Sequence, residues 1–208
     1  MGTTKVRKVK PYSGFTSKTL DNMLLDAGVF FENYDVKTDT YATAKAAGKC
    51  LGVTIKGGEF SAKPTVRNIE FDGVHSRVKG NTLIDGWEAY IKATVAEVTE
   101  GNIRKALGAS EVDSETLTGY HGIKGRNYVL DSDYCKNITW IGCLLGKEKP
   151  VIIQIFNGLN EGGLTMGVAD KDNGKFDVQF YGHNDDTAYD SEDVKPPFTI
   201  WEPVEVKE

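Results

Sequence analysis

The sequence WEAYIKATVAEV, residues 87–98, has the clearest strand pattern in the chain. Apolar side chains alternate with more polar ones over most of its length. The apolar positions are Trp87, Ala89, Ile91, Ala93 and Val95, and the positions between them are Glu88, Tyr90, Lys92 and Thr94. Because successive side chains of a strand point to opposite faces, this alternation predicts a strand with one buried face and one wetter face.

The residues before this strand predict further strands separated by glycine turns. LGVTI is followed by Gly57-Gly58 and then by EFSA, and the next run, TVRNIEF, ends at Asp72-Gly73. Short apolar runs bounded by such steps are typical of hairpins. Further upstream, the aromatic run GVFFENY, residues 28–34, predicts another strand.

The second half of the chain continues the same pattern of short strands and turns. Strands are predicted at residues 138–145, 151–156, 164–169, 176–181 and 198–201. The step Asn173-Gly174 lies between two of these runs and is typical of a type I′ hairpin turn. Together with the earlier runs, this predicts roughly eight to ten short antiparallel strands.

Two short helices are also predicted. In residues 17–27, Ser17 can cap the helix; the side chains on one face are Leu20, Met23, Leu24 and Ala27. In residues 99–107, Thr99 is the candidate cap and Gly108 terminates the helix; the apolar face is Ile103, Ala106 and Leu107.

Three stretches show no regular period. Residues 1–16 are expected to form an N-terminal arm, residues 35–49 a long loop, and residues 109–126 a polar loop. Composition does not change along the chain, which favours a single domain over residues 1–208. We expect a mainly β fold of two packed antiparallel sheets, a sandwich or partial barrel, with one or two short flanking helices.

The composition limits the classes of function. The chain has 208 residues, 39% of them hydrophobic, and a formal net charge of −5. An acidic chain is a poor candidate for gripping nucleic acid, because phosphate affinity depends on clusters of lysine and arginine. The single basic cluster is read as part of a solvated arm; it comprises Lys5, Arg7, Lys8 and Lys10. No apolar run approaches the length of about 20 residues that crosses a bilayer, so a soluble protein is expected.

The cysteines do not predict a disulfide framework or a zinc site. Cys50, Cys135 and Cys143 are odd in number and have no CxxC spacing. Reduced thiols are expected, with Cys143 in the core because it lies in the apolar run WIGCLL. This pattern favours assembly in a cytoplasm.

Other candidate chemical sites are weak. Asp170, Asp172 and Asn173 resemble part of a calcium loop whose frame is incomplete, so a hairpin turn is favoured. The cluster of His183, Asp185 and Asp186 could bind a metal, but an acidic surface loop is favoured. His75 and His121 are interpreted as solvated loop residues, and Gly57-Gly58 lacks the frame of a phosphate-binding loop. We therefore predict no catalytic, cofactor-binding or metal-binding residues and no enzyme activity.

Four segments, in this order, resemble the major tail proteins of long-tailed phages, especially those of Gram-positive hosts. They are AGVFFENYD, LGVTIKGGEFSAKPTVRNIEFDGVHSRVKG, IDGWEAYIKATVAEVTEGNIRKALGA, and EGGLTMGVADKDNGKFDVQFYGHNDD leading to PPFTIW. Val53 departs from the pattern, since a smaller residue is expected before the Gly-Gly step, and the loop at residues 35–49 is longer than expected.

The resemblance implies a tail-tube fold whose subunits form hexameric rings that stack into a tube. DNA would pass through its lumen without specific binding, and the chain would belong to the virion tail after assembly in the host cytoplasm. Expected partners are further copies of the chain, a tape measure protein, and the tail terminator and distal tail proteins. Contact with the next ring is expected from the loop at residues 35–49.

Three other functions remain open at this point. A carbohydrate-binding module would use exposed aromatics such as Tyr90, Trp140 or Trp201. A hydrolase would use His183 with its neighbouring aspartates. Another ring-forming virion part, such as a connector, a terminator or the inner tube of a contractile tail, would share the fold but not the position in the particle.

Overall fold

The computed structural model describes residues 12–168, 170, 174–190 and 194–204. In these ranges the chain forms ten strands, two α-helices and two short 3₁₀ helices. The strands are β1 (Leu24–Glu32), β2 (Thr54–Asn68), β3 (Thr82–Val95), β4 (Ser110–Asp113), β5 (Gly122–Gly125), β6 (Cys135–Leu144), β7 (Val151–Asn160), β8 (Met166–Gly167), β9 (Lys175–Tyr181) and β10 (Phe198–Trp201). The helices are α1 (Tyr41–Ala46) and α2 (Glu100–Leu107), with 3₁₀ helices at Asp131–Asp133 and Asp186–Asp190.

Strand β7 joins the two halves of a large antiparallel sheet with the order β1-β6-β7-β9-β3-β2. Most of β7 pairs with β6 on one edge and with β10 on the other, whereas Leu159 and Asn160 at its end pair with β9. Side chains of β6 and β7 pack with those of β3 and β9 in one core, as in a sandwich. The predicted mainly β fold of packed antiparallel sheets is confirmed. In the described part of the chain the sheet does not close into a barrel.

Strand β3 has the burial pattern that its sequence predicts. The side chains of Ala89, Ile91, Ala93 and Val95 are only 1–2% exposed, and the intervening residues are partly or fully exposed. The core residues that pack with them come mainly from β1, β6, β7 and β9; the large ones are Phe30, Ile138, Trp140, Ile155, Phe176 and Phe180. The alternation therefore identified the core face of the sheet correctly.

Strand β2 is one long strand and not the series of short strands that its glycines predict. The step from Thr54 to Gly58 on β2 faces a shorter step from Val95 to Ala93 on β3, so the Gly57-Gly58 step forms a bulge and the predicted turn is wrong. Gly57 has φ +72°, and a Cβ on Gly58 would lie 2.4 Å from a ring atom of Phe30. Glycine is required here because β1 crosses close to β2.

The predicted helix at residues 17–27 is also wrong. Residues 17–22 form turns, and β1 begins at Leu24 and pairs with β6. The backbone amide of Leu145 donates to the carbonyl of Met23, and that of Gly146 donates to the carbonyl of Asp21. A short isolated helix is marginal in water, and these bonds to the distant β6–β7 turn favour the extended chain.

Two predicted loops contain regular structure. Residues 35–49 include helix α1, whose cap is Thr40: its hydroxyl accepts from the amide of Thr43, and the hydroxyl of Thr43 accepts from the amide of Thr40. Ala44 of this helix is fully buried in a second small core with Phe31. Residues 109–126 contain β4 and β5, which form a separate two-stranded sheet. The absence of a clear period in these stretches reflects the shortness of the elements.

The remaining elements agree with the sequence. Helix α2 begins after Thr99, whose hydroxyl accepts from the amide of Asn102, and it ends at Gly108. Strands β6, β7, β9 and β10 lie where they are predicted, and β8 is shorter than expected. Three predicted features lie wholly or partly outside the described residues. They are the turn at Asn173-Gly174, the calcium-like residues Asp172 and Asn173, and residues 1–11 of the arm.

Candidate assembly surface

The histidine and aspartates singled out from the sequence lie at the end of β7 without forming a metal site. His183 Nδ1 lies 3.0 Å from the backbone oxygen of Asn157, and Nε2 lies 3.1 Å from a carboxylate oxygen of Glu161. No group of three or more potential metal ligands occurs in the described ranges. Both ring nitrogens are therefore engaged in structural contacts, and the side chain of His183 fixes the chain that follows β9.

His121 has a comparable role at the surface. Its Nδ1 lies 2.7 Å from a carboxylate oxygen of Glu100 in the first turn of α2, and its side chain is more than half exposed. The prediction of a loop histidine agrees with this position, although the ring is paired with a carboxylate and not simply solvated.

The cysteines differ in accessibility, and one prediction is wrong. Cys135 is buried beside Glu32, and burial followed by this carboxylate raises the pKa of the Cys135 thiol to about 11. Cys143, predicted to lie in the core, is exposed. It lies on the same face of β6 as the buried Ile141, but the second small core that covers Ile141 does not extend to Cys143. The apolar run WIGCLL did not reveal this.

The aromatic residues considered for carbohydrate binding are mostly engaged within the chain. Trp140 is only 9% exposed, and its indole N–H donates to the backbone oxygen of Ala27 at 2.8 Å. The ring of Tyr90 packs against Tyr181 with centroids 5.6 Å apart. Trp201, at the end of β10, is partly exposed. These positions do not form an open platform of neighbouring rings.

The loop at residues 35–49, expected to reach a neighbouring ring, is tied to its own domain. Lys49 Nζ lies 2.5 Å from a carboxylate oxygen of Asp39, and the hydroxyl of Tyr34 donates to the backbone oxygen of Asp39. The buried Gln154 of β7 donates to the backbone oxygen of Tyr34 at 2.8 Å. The backbone amide of Asp35, followed by the Lys49 ammonium, lowers the pKa of Asp39. The segment is therefore held against the sheet by these contacts.

The feature that stands out from the domain is the distal part of the β2–β3 hairpin, residues 63–86, here called the outer hairpin. Almost all of its residues are exposed, in contrast to the continuation of the same two strands in the core. The strands remain paired up to Asn68 and Thr82, and residues 69–81 connect them. The paired part of β2 in this region runs from Lys63 to Asn68. At a rise of about 3.3 Å per residue, the paired strands extend about 15 Å before the connecting loop.

One face of the outer hairpin is an uncovered apolar stripe that continues the core face of the sheet. Pro64 lies opposite Trp87, and Val66 lies opposite Ile84. Asp85 forms a bulge between these pairs, so Ile84 stays on the same face as Trp87 although the numbering shifts by one. Val66 is 50% exposed and Ile84 is 56% exposed. A stripe in line with the core but without a covering layer in the described residues is a surface suited to another protein.

The outer hairpin is ordered by its own contacts. The guanidinium of Arg67 donates two hydrogen bonds to the carboxylate of Asp85, at 2.9 and 3.2 Å. Asn81 donates to the backbone oxygen of Ile69, and Thr82 donates to the side chain of Asn68. The connecting loop adds further exposed apolar side chains at its tip: Phe71, Val74 and Val78. The apolar stripe is therefore presented by a defined hairpin.

The outer face of β2, β3 and β9 is polar and its charges compensate each other. Glu59 lies directly opposite Lys92, and Lys63 lies directly opposite Glu88. The hydroxyl of Tyr90 also donates to Glu59 at 2.7 Å. Opposite charges facing each other across a ladder stabilise the pair, and they leave little net charge to attract a ligand.

Comparison with known proteins adds no identification. Neither the models of known protein families nor the curated protein sequences match this chain. Within the described residues no helix has the length and apolarity needed to span a membrane. The function therefore has to be inferred from the geometry of the surfaces.

Proposed function

We propose that this chain is the structural subunit of a phage tail tube, which assembles into hexameric rings that stack around a channel for DNA. The observation that carries the proposal is the outer hairpin, because its apolar stripe continues the core face of the sheet without a covering layer in the described residues. A second copy of the chain is the covering layer that the proposal requires.

The geometry of such a contact favours open or ring-like assembly. The hairpin of one copy would pack on a different surface of its neighbour, and a contact of this kind repeats from copy to copy. It closes into a ring when the rotation allows it, and otherwise gives a filament. An exposed apolar hairpin is an aggregation hazard when it is left open, and a neighbouring copy would cover it.

The charge of the chain supports passive passage of DNA. Six copies would carry a formal charge of −30, six times the −5 of one chain. Carboxylates that face the lumen would repel phosphates, and the compensated pairs on the outer face of the sheet give no positive groove that would hold them. The proposed partners are further copies of the chain, a tape measure protein, and the tail terminator and distal tail proteins. The proposed location is the virion tail.

Negative-stain electron microscopy of the purified chain at rising concentration tests the proposal. Tubes of uniform width with a central stain-filled channel are expected. A variant that joins Asn68 to Thr82 by Asn-Gly in place of residues 69–81 keeps the strand register and the stripe but removes the apolar tip. It should stay folded and form tubes only at higher concentration.

Other outcomes would change the assignment. Single rings that do not stack at any concentration would favour a connector or terminator. Monomers that persist up to the highest soluble concentration and bind a glycan on an array would contradict the proposal in favour of a carbohydrate-binding module.

A further inference from the structure

A groove lies at the end of the sheet where β7 leaves its pairing with β10. It consists of two adjoining cavities of about 690 and about 450 Å³ that share Asn157, His183, Asn184 and Asp185. The walls come from the end of β7, the segment after β9 and the residues that lead into β10. We call this the acidic groove.

The two halves of the acidic groove differ in chemistry. The larger half has mostly apolar walls, formed by Phe156, Ala188, Pro196, Pro197 and Phe198. The smaller half is lined by the carboxylates of Asp131, Asp185 and Asp186, with the ring of Tyr134 between them. Lys195, in the apolar half, is the only lysine or arginine among the lining residues that the structure describes. The groove therefore suits a segment that carries both apolar and basic side chains.

The groove is held in shape by contacts around His183. Its backbone amide donates to the carbonyl of Phe156 at 2.9 Å, and its ring lies edge-on to Tyr134 with centroids 5.3 Å apart. Asn157 takes the left-handed conformation, with φ +46°, and its amide donates to the carbonyl of His183. A preformed site reduces the entropy that is lost on binding, because its own side chains need not be ordered.

We propose that the acidic groove receives the basic N-terminal segment, residues 1–11, of a second copy of this chain. This segment carries four basic residues and two valines and no acidic residue; they are Lys5, Val6, Arg7, Lys8, Val9 and Lys10. The valines match the apolar half of the groove, and the basic side chains match its carboxylates. The inference deepens the proposed function by naming the surfaces that join one copy to the next.

The chain that follows the basic segment and the acidic groove lie toward opposite ends of β7. The chain just after the basic segment is bonded to the β6–β7 turn, where the amide of Gly146 donates to Asp21. The acidic groove lies at the other end of β7, near Asn157, about 20 Å away at the rise of a strand. Tyr12, the first described residue, is fully exposed. A preceding segment of this length reaches about 40 Å when extended, which spans the distance to its own groove as well as to that of a stacked neighbour. The dependence of peptide binding on protein concentration distinguishes the two.

A binding assay on the full-length chain tests the contact separately from tube formation. A labelled peptide of residues 1–12 is titrated into a chain whose own segment is neutralised by K5S, R7S, K8S and K10S. We expect saturable binding to the monomer that weakens as salt is raised. D185N and D186N together should weaken it about fivefold to tenfold, as two exposed charge pairs are lost.

The matched control changes two exposed carboxylates elsewhere, E111Q and E115Q, and should leave peptide binding unchanged. Equal affinity for the D185N/D186N chain and its parent would overturn the inference. A second result would also overturn it: the chain with its native basic segment excludes the peptide equally at all protein concentrations. In that case the segment would occupy the groove of its own chain. The peptide could bind as expected although the chain forms no tubes. This result would support the contact and would count only against the proposed tail-tube function.

Discussion

Replacing the apolar stripe of the outer hairpin by polar residues should weaken assembly without unfolding the subunit. The change is V66S with I84S, at positions that face each other across the hairpin. Burial of a whole valine or isoleucine side chain contributes about 1.5–3 kcal/mol. Val66 is 50% exposed and Ile84 is 56% exposed, so about half of each side chain remains for a partner to cover.

The expected loss is therefore about 1 kcal/mol for each side chain and about 2 kcal/mol for each contact between copies. Since about 1.4 kcal/mol corresponds to a factor of ten, the contact should weaken about 30-fold. The assay is the critical concentration for tube formation, measured by pelleting, together with the urea midpoint of the monomer. The critical concentration should rise by a similar factor. The midpoint should also fall, because the half of each side chain that the monomer already buries contributes about 1 kcal/mol to its stability.

The matched control is T65S with L83S, which changes two exposed residues on the opposite face of the same hairpin. It should leave the critical concentration close to that of the parent. An equal effect of both double variants, or no effect of V66S with I84S, would refute the role of the stripe. A loss of monomer stability well beyond about 2 kcal/mol would show that the stripe acts mainly within the monomer.

Three further outcomes follow from the contacts. Cys143 should react with a thiol-alkylating reagent in the folded chain and Cys135 should not, as measured by mass spectrometry, because burial and a nearby carboxylate raise the pKa of Cys135 to about 11. The lowered pKa of Asp39 contributes stability above the ordinary carboxyl pKa of about 3.9 that is lost as pH falls through the folded value. D39N should therefore destabilise the chain at neutral pH and reduce the fall of its urea midpoint as pH drops below about 4. An unchanged pH profile would count against the contacts of Asp39 with the Asp35 amide and with Lys49. N102A should lower the unfolding free energy by about 1–3 kcal/mol, because the buried amide donates to two backbone carbonyls, and an exposed alanine substitution in the same helix is the control.

The sequence predicted best the elements whose signal is local. The alternation around Ile91 identified the core face of β3, and the cap at Thr99 and the stop at Gly108 located α2. Each of these signals depends on residues within one or two turns or on one strand. The short run at residues 198–201 was also placed correctly, because Pro196-Pro197 marks where it begins.

The wrong predictions share a different cause. Residues 17–27 have the spacing of a helix, yet residues 17–22 form turns and β1 begins at Leu24. Bonds from Leu145 and Gly146, more than 120 residues away, hold Met23 and Asp21 in this arrangement. The two glycines at residues 57–58 are typical of a turn, yet they form a bulge because Phe30 of β1 crosses there. Neither partner can be found from a local window of sequence.

The proposed assembly surfaces also combine features encoded locally with features that depend on distant parts of the chain. The sequence by itself determined that the chain forms a β-rich fold with a buried face on β3, since strand period and burial are encoded residue by residue. Only the tertiary structure decided that the stripe at Val66 and Ile84 runs past the end of the core, and that β7, β9 and β10 enclose an acidic groove. The physical reason is that exposure depends on which distant elements cover a face, and an apolar residue has the same local pattern whether it is covered by its own chain or by a neighbour.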